Sequence, residues 1–246
     1  MSNVVNLKLK HNPHPLGDRC DAILLAHMIS KIDGVTVNLI SSARNMEYLS
    51  KTLGFADVVV NSSQHDASKT YEWHNRNSTF YLKYSKQLKT IPLKAQVESR
   101  GIKLPDRFVT TQWDAQQRYR DVRDSDPNRV PRIEQYYKDQ GYKIVNIGGQ
   151  SDIIDLRDII YTISKAHMHV GADSGMSHVA KFLLPIENIH TYINIDIRQN
   201  DERFPDNWSV NYMARDMFRR GARMNFCENP DQSQINYFKD VELYNI

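Results

Sequence analysis

Six consecutive residues, Asp173-Ser174-Gly175-Met176-Ser177-His178, follow directly on a short apolar run from Met168 to Gly171. A strand that ends in small residues and opens a helix aims several backbone N–H groups at one point. The helix N-terminus adds partial positive charge, so the spot suits an anion such as a diphosphate. Asp173 can accept from a ribose hydroxyl, and Ser174 and Gly175 let the backbone approach phosphate closely. His178, one turn into the helix, can donate to a phosphate oxygen. Together they describe a pocket for a nucleotide or nucleotide sugar, provided the surrounding fold is α/β. The plainer reading is a capped helix, because Asp and Ser are ordinary N-caps, and His178 can equally be a core histidine.

Other polar residues carry less. His11 and His14 flank a proline-containing turn and read as loop histidines, with a substrate contact as the alternative. His167 and His169 alternate around a strand, so one face is expected to be buried and no metal pair is expected. Gly148-Gly149 is explained by a tight turn after a strand. Asp124-Ser125-Asp126 spells a metal-binding pattern but lies in a charged, proline-containing stretch that reads as a solvated turn.

A series of strands and helices must position these groups. Val5, Leu7 and Leu9 alternate between Asn3 and Lys10 as in a strand. Two prolines and Gly17 then punctuate the chain, and Asp18 is a natural N-cap for a helix with Ala22, Leu25, Ala26 and Ile29 on one stripe. Val35 to Ser41 reads as a strand, Asn45 to Leu53 as a helix and Asp57 to Asn61 as a strand. Gln64 to Lys103 loses this rhythm. A second series follows: strand Phe108 to Gln112, helix Arg132 to Gln140, strand Lys143 to Ile147, helix Leu156 to Lys165 and strand Met168 to Gly171. Helix Met176 to Leu184, strand His190 to Ile195, a helix over Trp208 to Arg220, a strand at Arg223 to Phe226 and a helical tail from Gln232 to Tyr244 complete it. Alternating strands and helices imply parallel sheets, and ligands then sit beyond the carboxyl ends of the strands.

The chain of 246 residues, 40% hydrophobic, has material for one large or two small domains. A mean hydropathy of -0.59 argues against a membrane span, and no secretory leader is visible near Met1. Cys20 and Cys227 are too far apart in sequence for a zinc knuckle, which fits a reduced, cytoplasmic protein. Net charge is only +3, but its distribution is uneven. From Arg76 to Arg107 the basic residues, Lys83 and Lys86 among them, face only Glu98 and Asp106, and Trp73, Phe80, Tyr81 and Tyr84 interleave. Charge with stackable rings suits a polyanion, nucleic acid included, although such runs are commonly solvated faces.

Tyr142 to Ala180 resembles the C-terminal domain of the ADP-heptose:lipopolysaccharide heptosyltransferase family in order and spacing. The likeness runs through Tyr142-Lys143-Ile144-Val145-Asn146-Ile147-Gly148-Gly149 and Asp155-Leu156-Arg157-Asp158. It continues across Ser164-Lys165-Ala166-His167 into Asp173-Ser174-Gly175-Met176-Ser177-His178-Val179-Ala180. Leu16-Gly17-Asp18 is similar to the family's Gly-Asp motif, and Thr110-Thr111-Gln112-Trp113 to its phosphate-side loop. The resemblance implies the GT-B fold, two Rossmann-like parallel-sheet domains facing a cleft: residues 1–104 for the acceptor and 105–246 for the nucleotide sugar. It also implies Asp18 as general base for an inverting transfer, with Thr111 and Gln112 completing the phosphate cradle. The chain departs from the family in three ways. It is short in the first domain. The lysine expected after Trp113 is missing, with Arg118 and Arg120 as substitutes. Arg19-Cys20-Asp21 is unusually polar.

The combined expectation is a metal-independent, inverting glycosyltransferase with no cofactor beyond its nucleotide-sugar substrate. Its donor-binding residues are Thr111, Gln112, Arg118, Asp173, Ser174, Gly175 and His178. Gly17, His14, Lys83, Tyr84 and Lys86 meet a polyanionic acceptor, with hydroxymethylated cytosine in DNA placed ahead of a phosphorylated saccharide. Such an enzyme, if phage-encoded, works in the host cytoplasm. The alternatives are a saccharide transferase of the lipopolysaccharide-core type, a nucleotide-sugar epimerase and a noncatalytic nucleic-acid-binding protein on the same scaffold.

Overall fold

A computed structural model describes residues 4–9, 15–43, 45–55, 58–61, 69–73, 84, 93–114, 130–149, 151–172, 174–192, 223–225 and 235–237. The chain divides into two compact units, Met1–Gln96 and Val97–Ile246.

In the first unit the apolar alternation produces β1 (Val4–Leu9), followed by α1 (Leu16–Asp33), β2 (Thr36–Ile40), α2 (Met46–Thr52), β3 (Val59–Asn61) and β4 (Lys69–Trp73). The sheet runs in the order β3-β2-β1-β4 with every pairing parallel. Val5, Leu7 and Leu9 are buried on one face with Val37 and Leu39, whereas Lys8, Thr36 and Glu72 on the other are exposed. Across that second face runs a row of amides. Asn61 donates to Asn38, Asn38 Nδ2 donates to Asn6 Oδ1 at 2.7 Å, and Asn6 Nδ2 donates to Thr70 Oγ1 at 3.3 Å. Because Asn6 and Asn38 are buried, the row satisfies polar groups that would otherwise be costly.

Two expectations change here. Asp18 does not cap α1: Pro15 holds the N-cap position and Asp18 lies inside the first turn. A proline's fixed φ and missing N–H suit a helix start, so the helix begins earlier than a side-chain cap would place it. The stripe of Ala22, Leu25, Ala26 and Ile29 is buried, but Ile23 and Leu24 are buried as well, so α1 is enclosed on most sides. The stretch that lost its rhythm contains β4, whose Lys-Thr-Tyr-Glu-Trp sequence pairs with β1. A strand with a single neighbour tolerates polar residues, which hides it from an apolar pattern.

The second unit contains β5 (Phe108–Gln112), α3 (Val130–Asp139), β6 (Lys143–Asn146), α4 (Leu156–Lys165), β7 (Met168–Ala172), α5 (Gly175–Ala180), a 3-10 turn at Ile186–Asn188, β8 (Ile189–Tyr192), β9 (Arg223–Asn225) and β10 (Ile235–Tyr237). Their order is β10-β9-β8-β7-β5-β6, parallel except for β9 with β10. α3 packs Ile133 and Tyr137 against Val109, Val170 and Tyr192. Inside this core the Tyr137 hydroxyl lies 2.7 Å from His190 Nδ1 and 3.1 Å from the Tyr192 hydroxyl. α4 starts where Asp155 accepts from the backbone N–H of Arg157 and of Asp158.

The tail expected as a helix holds β10 instead. Ile235 and Tyr237 are strand-favouring residues two apart, and pairing with β9 overrides the local helical pattern. α5 ends at Ala180, earlier than Leu184, and the chain continues in turns. Pro185 disfavours helical backbone at the residue before it. The helix expected over Trp208 to Arg220 lies outside the described residues. No helix among the described residues is long and apolar enough to cross a membrane.

Candidate functional site

The carboxyl ends of β5 and β7 carry the donor-side candidates Gln112, Ser174 and Gly175, with the glycine turn after β6 beside Gln112. Gln112, the last residue of β5, pairs in register with Gly171 of β7. A β-carbon at Gly171 would lie 2.2 Å from the Gln112 carbonyl oxygen, so only glycine permits this approach. After β6 the chain turns through Gly148 and Gly149, both at positive φ (65° and 53°). Gly148 N donates to Ile153 O at 2.8 Å and closes that turn. Gly148 also joins two elements: a β-carbon there would lie 3.8 Å from Gln112 Cγ and 3.6 Å from Met176 Cε.

Ser174 caps α5, its Oγ accepting from Met176 N at 3.2 Å, and Ser177 Oγ ties the helix back to Ala172 O at 3.1 Å. The first backbone N–H groups of a helix have no intrahelical acceptor. Here they gather where β7 stops, with that of Met176 already met by Ser174. α5 is only six residues long, so local N–H groups rather than a long macrodipole supply the positive potential. His178 is buried within this element.

Thr111 and Gln112 do not act as a pair. Neighbouring strand residues point to opposite faces, and Thr111 Oγ1 is bonded to Asn146 Oδ1 across β6. Gln112 lies on the other face, its Nε2 donating to the backbone oxygen of Asp114. Gln112 Oε1 is buried with no hydrogen-bond partner among the described residues. The Asp114 carboxylate sits against Gly149, its Oδ2 3.0 Å from where a β-carbon would be. The sequence pattern does not single out Asp114, because nothing in its spacing shows that a glycine turn of β6 comes up beside it.

On the same face as Gln112, one row deeper, His169 is fully buried. Its Nδ1 lies 3.1 Å from Thr110 Oγ1, which also lies 3.3 Å from Met168 O. Burial, with the positive charges of Lys181 and His190 nearby, pushes its pKa down to about 3. The ring is neutral. His167 lies just before β7 and is exposed. Lys181, 1% exposed, carries no motif that would have marked it as interior.

In the first unit, Gly17 is buried and Asp18 half-buried in the first turn of α1, the helix that follows β1. Tyr84 is fully buried, and its hydroxyl donates to Asp33 Oδ2 at 2.6 Å. This corrects the expectation that it stacks on an acceptor: a ring inside the core presents no face to a ligand. Burial and the Asp33 carboxylate both raise its pKa. His14, Lys83, Lys86, Arg118 and Asp173 lie outside the described residues, as do His11 and Asp124 to Asp126. Among the described residues no three His, Cys, Asp or Glu side chains converge on a metal position.

No protein-family model matches the chain, and no curated protein sequence does. Solved structures do. The iron-containing dodecameric glycosyltransferase TibC from enterotoxigenic E. coli H10407 superposes with a TM-score of 0.56 at 12% identity, over 80% of this chain and 60% of TibC. The same heptosyltransferase in complex with ADP-D-β-D-heptose gives 0.54 at 14% identity, over 82% and 61%. E. coli ADP-heptose lipopolysaccharide heptosyltransferase II gives 0.51 at 10%, over 78% of this chain and 85% of that enzyme. The fold is that of the heptosyltransferases. The chain spans about 60% of the length of TibC. On this heptosyltransferase fold, the strand-end cluster of Gln112, Gly148, Gly171 and Ser174 occupies the position where open α/β sheets take their ligands.

Proposed function

We propose that the chain is a glycosyltransferase that takes a sugar from a nucleoside-diphosphate sugar and transfers it, with inversion, to a hydroxyl of a saccharide acceptor. The observation that carries this reading is the close junction of β5 and β7 at Gly171, with the Ser174 cap and the first-turn N–H groups of α5 beside it. Such fixed donors meet negative charge as it develops on a leaving diphosphate, without reorganisation at the moment of reaction. Asp173, Ser174, Gly175 and His178 would hold the donor on that side, with Arg118 as a counter-charge. Asp18 would accept the proton of the attacking hydroxyl, with Gly17 leaving room at the start of α1. No divalent ion is needed in this scheme.

The solved relatives are heptosyltransferases, one of them in complex with ADP-D-β-D-heptose, which favours a saccharide over DNA. The burial of Tyr84 points the same way, since it removes a ring from the basic stretch. His14, Lys83 and Lys86 remain the acceptor-side candidates, and their charge suits a phosphorylated saccharide. The test is release of nucleoside diphosphate from a panel of nucleotide sugars that includes ADP-D-β-D-heptose. Each is incubated with and without phosphorylated core saccharide, or hydroxymethylcytosine duplex, with EDTA throughout. Release that depends on the saccharide supports the reading. Release that depends on the duplex would move the acceptor to DNA, and no release from any sugar would overturn the transferase reading.

A further inference from the structure

Gln112 reaches the strand ends with one half of its amide committed and the other half open. The backbone oxygen of Asp114 can only accept, so the amide end that faces it must be Nε2, and Oε1 is the end left over. That oxygen is buried, with no hydrogen-bond partner among the described residues, in a side chain only 7% exposed. Gly171 packs on the Gln112 backbone, and Gly148 lies beside its Cγ, so the side chain leaves the strand between two residues that carry no side chain of their own. A carbonyl oxygen cannot donate to a phosphate, so the Gln112 side chain in this orientation offers a phosphate no hydrogen bond.

We propose that Gln112 Oε1 accepts a hydrogen bond from a hydroxyl or amino group of the bound nucleotide sugar and makes Gln112 a specificity-determining residue. This rests on the nucleotide-sugar reading of the strand-end site. A buried acceptor held in one orientation discriminates against a ligand that lacks the matching donor, because the oxygen is then left unpaired. Its committed Nε2 prevents the amide from rotating to suit a different group.

The experiment measures calorimetric affinities for ADP-D-β-D-heptose, ADP, 2′-deoxy-ADP, 3′-deoxy-ADP and 6-deamino-ADP. They are compared in the wild-type protein, Gln112→Met and Gln112→Glu. The deoxy and deamino probes report a ribose hydroxyl or the base amine, and ADP against the nucleotide sugar reports a sugar hydroxyl. In the wild type, loss of the partner group is expected to weaken binding about tenfold, the size of one neutral hydrogen bond. Gln112→Met should bind the intact ligand about tenfold more weakly and become indifferent to that group. Gln112→Glu keeps an acceptor, so it should weaken every diphosphate alike while still discriminating. Equal discrimination in the wild type and Gln112→Met, or none in the wild type, overturns the proposal and leaves the nucleotide-sugar reading standing. Failure of the wild type to bind ADP, ADP-D-β-D-heptose or any other nucleotide sugar of the panel overturns both.

Discussion

Gly171 presses so closely on Gln112 that a β-carbon on the glycine would fall 2.2 Å from the glutamine's carbonyl oxygen. The contact is backbone against backbone, at the carboxyl end of a parallel pair, and nothing flexible is available to move aside. It holds the carboxyl ends of β5 and β7 together and thereby fixes where the Gln112 side chain and the Ser174 turn lie.

Gly171→Ala should therefore cost about 3 kcal/mol or more in chemical denaturation, the scale of a strained, overpacked core. Gly101→Ala is the control. Gly101 has φ of 64° but nothing within 4 Å, so only the left-handed backbone penalises alanine there, by about 1–2 kcal/mol. Equal losses in the two variants would show that close approach contributes nothing.

Asp18→Asn keeps the shape of a half-buried residue in the first turn of α1 and removes its basicity. Turnover should fall between about a hundredfold and ten-thousandfold, the range for loss of a general base, while nucleotide affinity stays within a factor of about two. Turnover that survives unchanged would take the base role away from Asp18.

His169 contributes a pH dependence. Its folded pKa, near 3, lies below the ordinary histidine value because burial and the Lys181 and His190 charges oppose protonation. The unfolded chain therefore binds a proton that the folded protein refuses, and stability falls as pH drops below about 6.5 toward 3. Urea unfolding between these limits should show a slope of up to about 1.4 kcal/mol per pH unit from this group. That contribution should vanish in His169→Gln, and an unaltered acid limb would count against it.

Tyr84 acts at the other end of the scale. Its hydroxyl is kept protonated by burial and by Asp33, so the unfolded chain ionises first and stability is lost above about pH 10. Tyr84→Phe should cost about 1–2 kcal/mol at neutral pH through the missing bond to Asp33, and its alkaline limb should be shallower than that of the wild type. The same substitution should leave acceptor affinity unchanged, since the ring lies in the core.

Much of the α/β series was legible in the residues themselves. Strand Phe108–Gln112 and helix Leu156–Lys165 fall where their patterns place them, because each is bounded by strong local signals such as the Asp155 cap. β4 and β10 were hidden for a common reason. A short edge strand is stabilised by one neighbour's backbone, and neither a polar Lys69–Trp73 nor a three-residue Ile235–Tyr237 advertises that neighbour. Tyr84 looked like a surface ring because its sequence neighbours are basic, and only its burial in the fold shows that it faces inward.

By its own periodicity, turn residues and motifs, the sequence determined that the chain alternates strands and helices and that Ser174 opens a helix after a strand. These depend on contacts a few residues apart. Tertiary structure alone decided that Thr111 meets Asn146, that Asp114 meets Gly149, and that the Gln112 backbone packs against Gly171. Those relationships join residues 35 to 60 positions apart, through strand registers that no local pattern encodes.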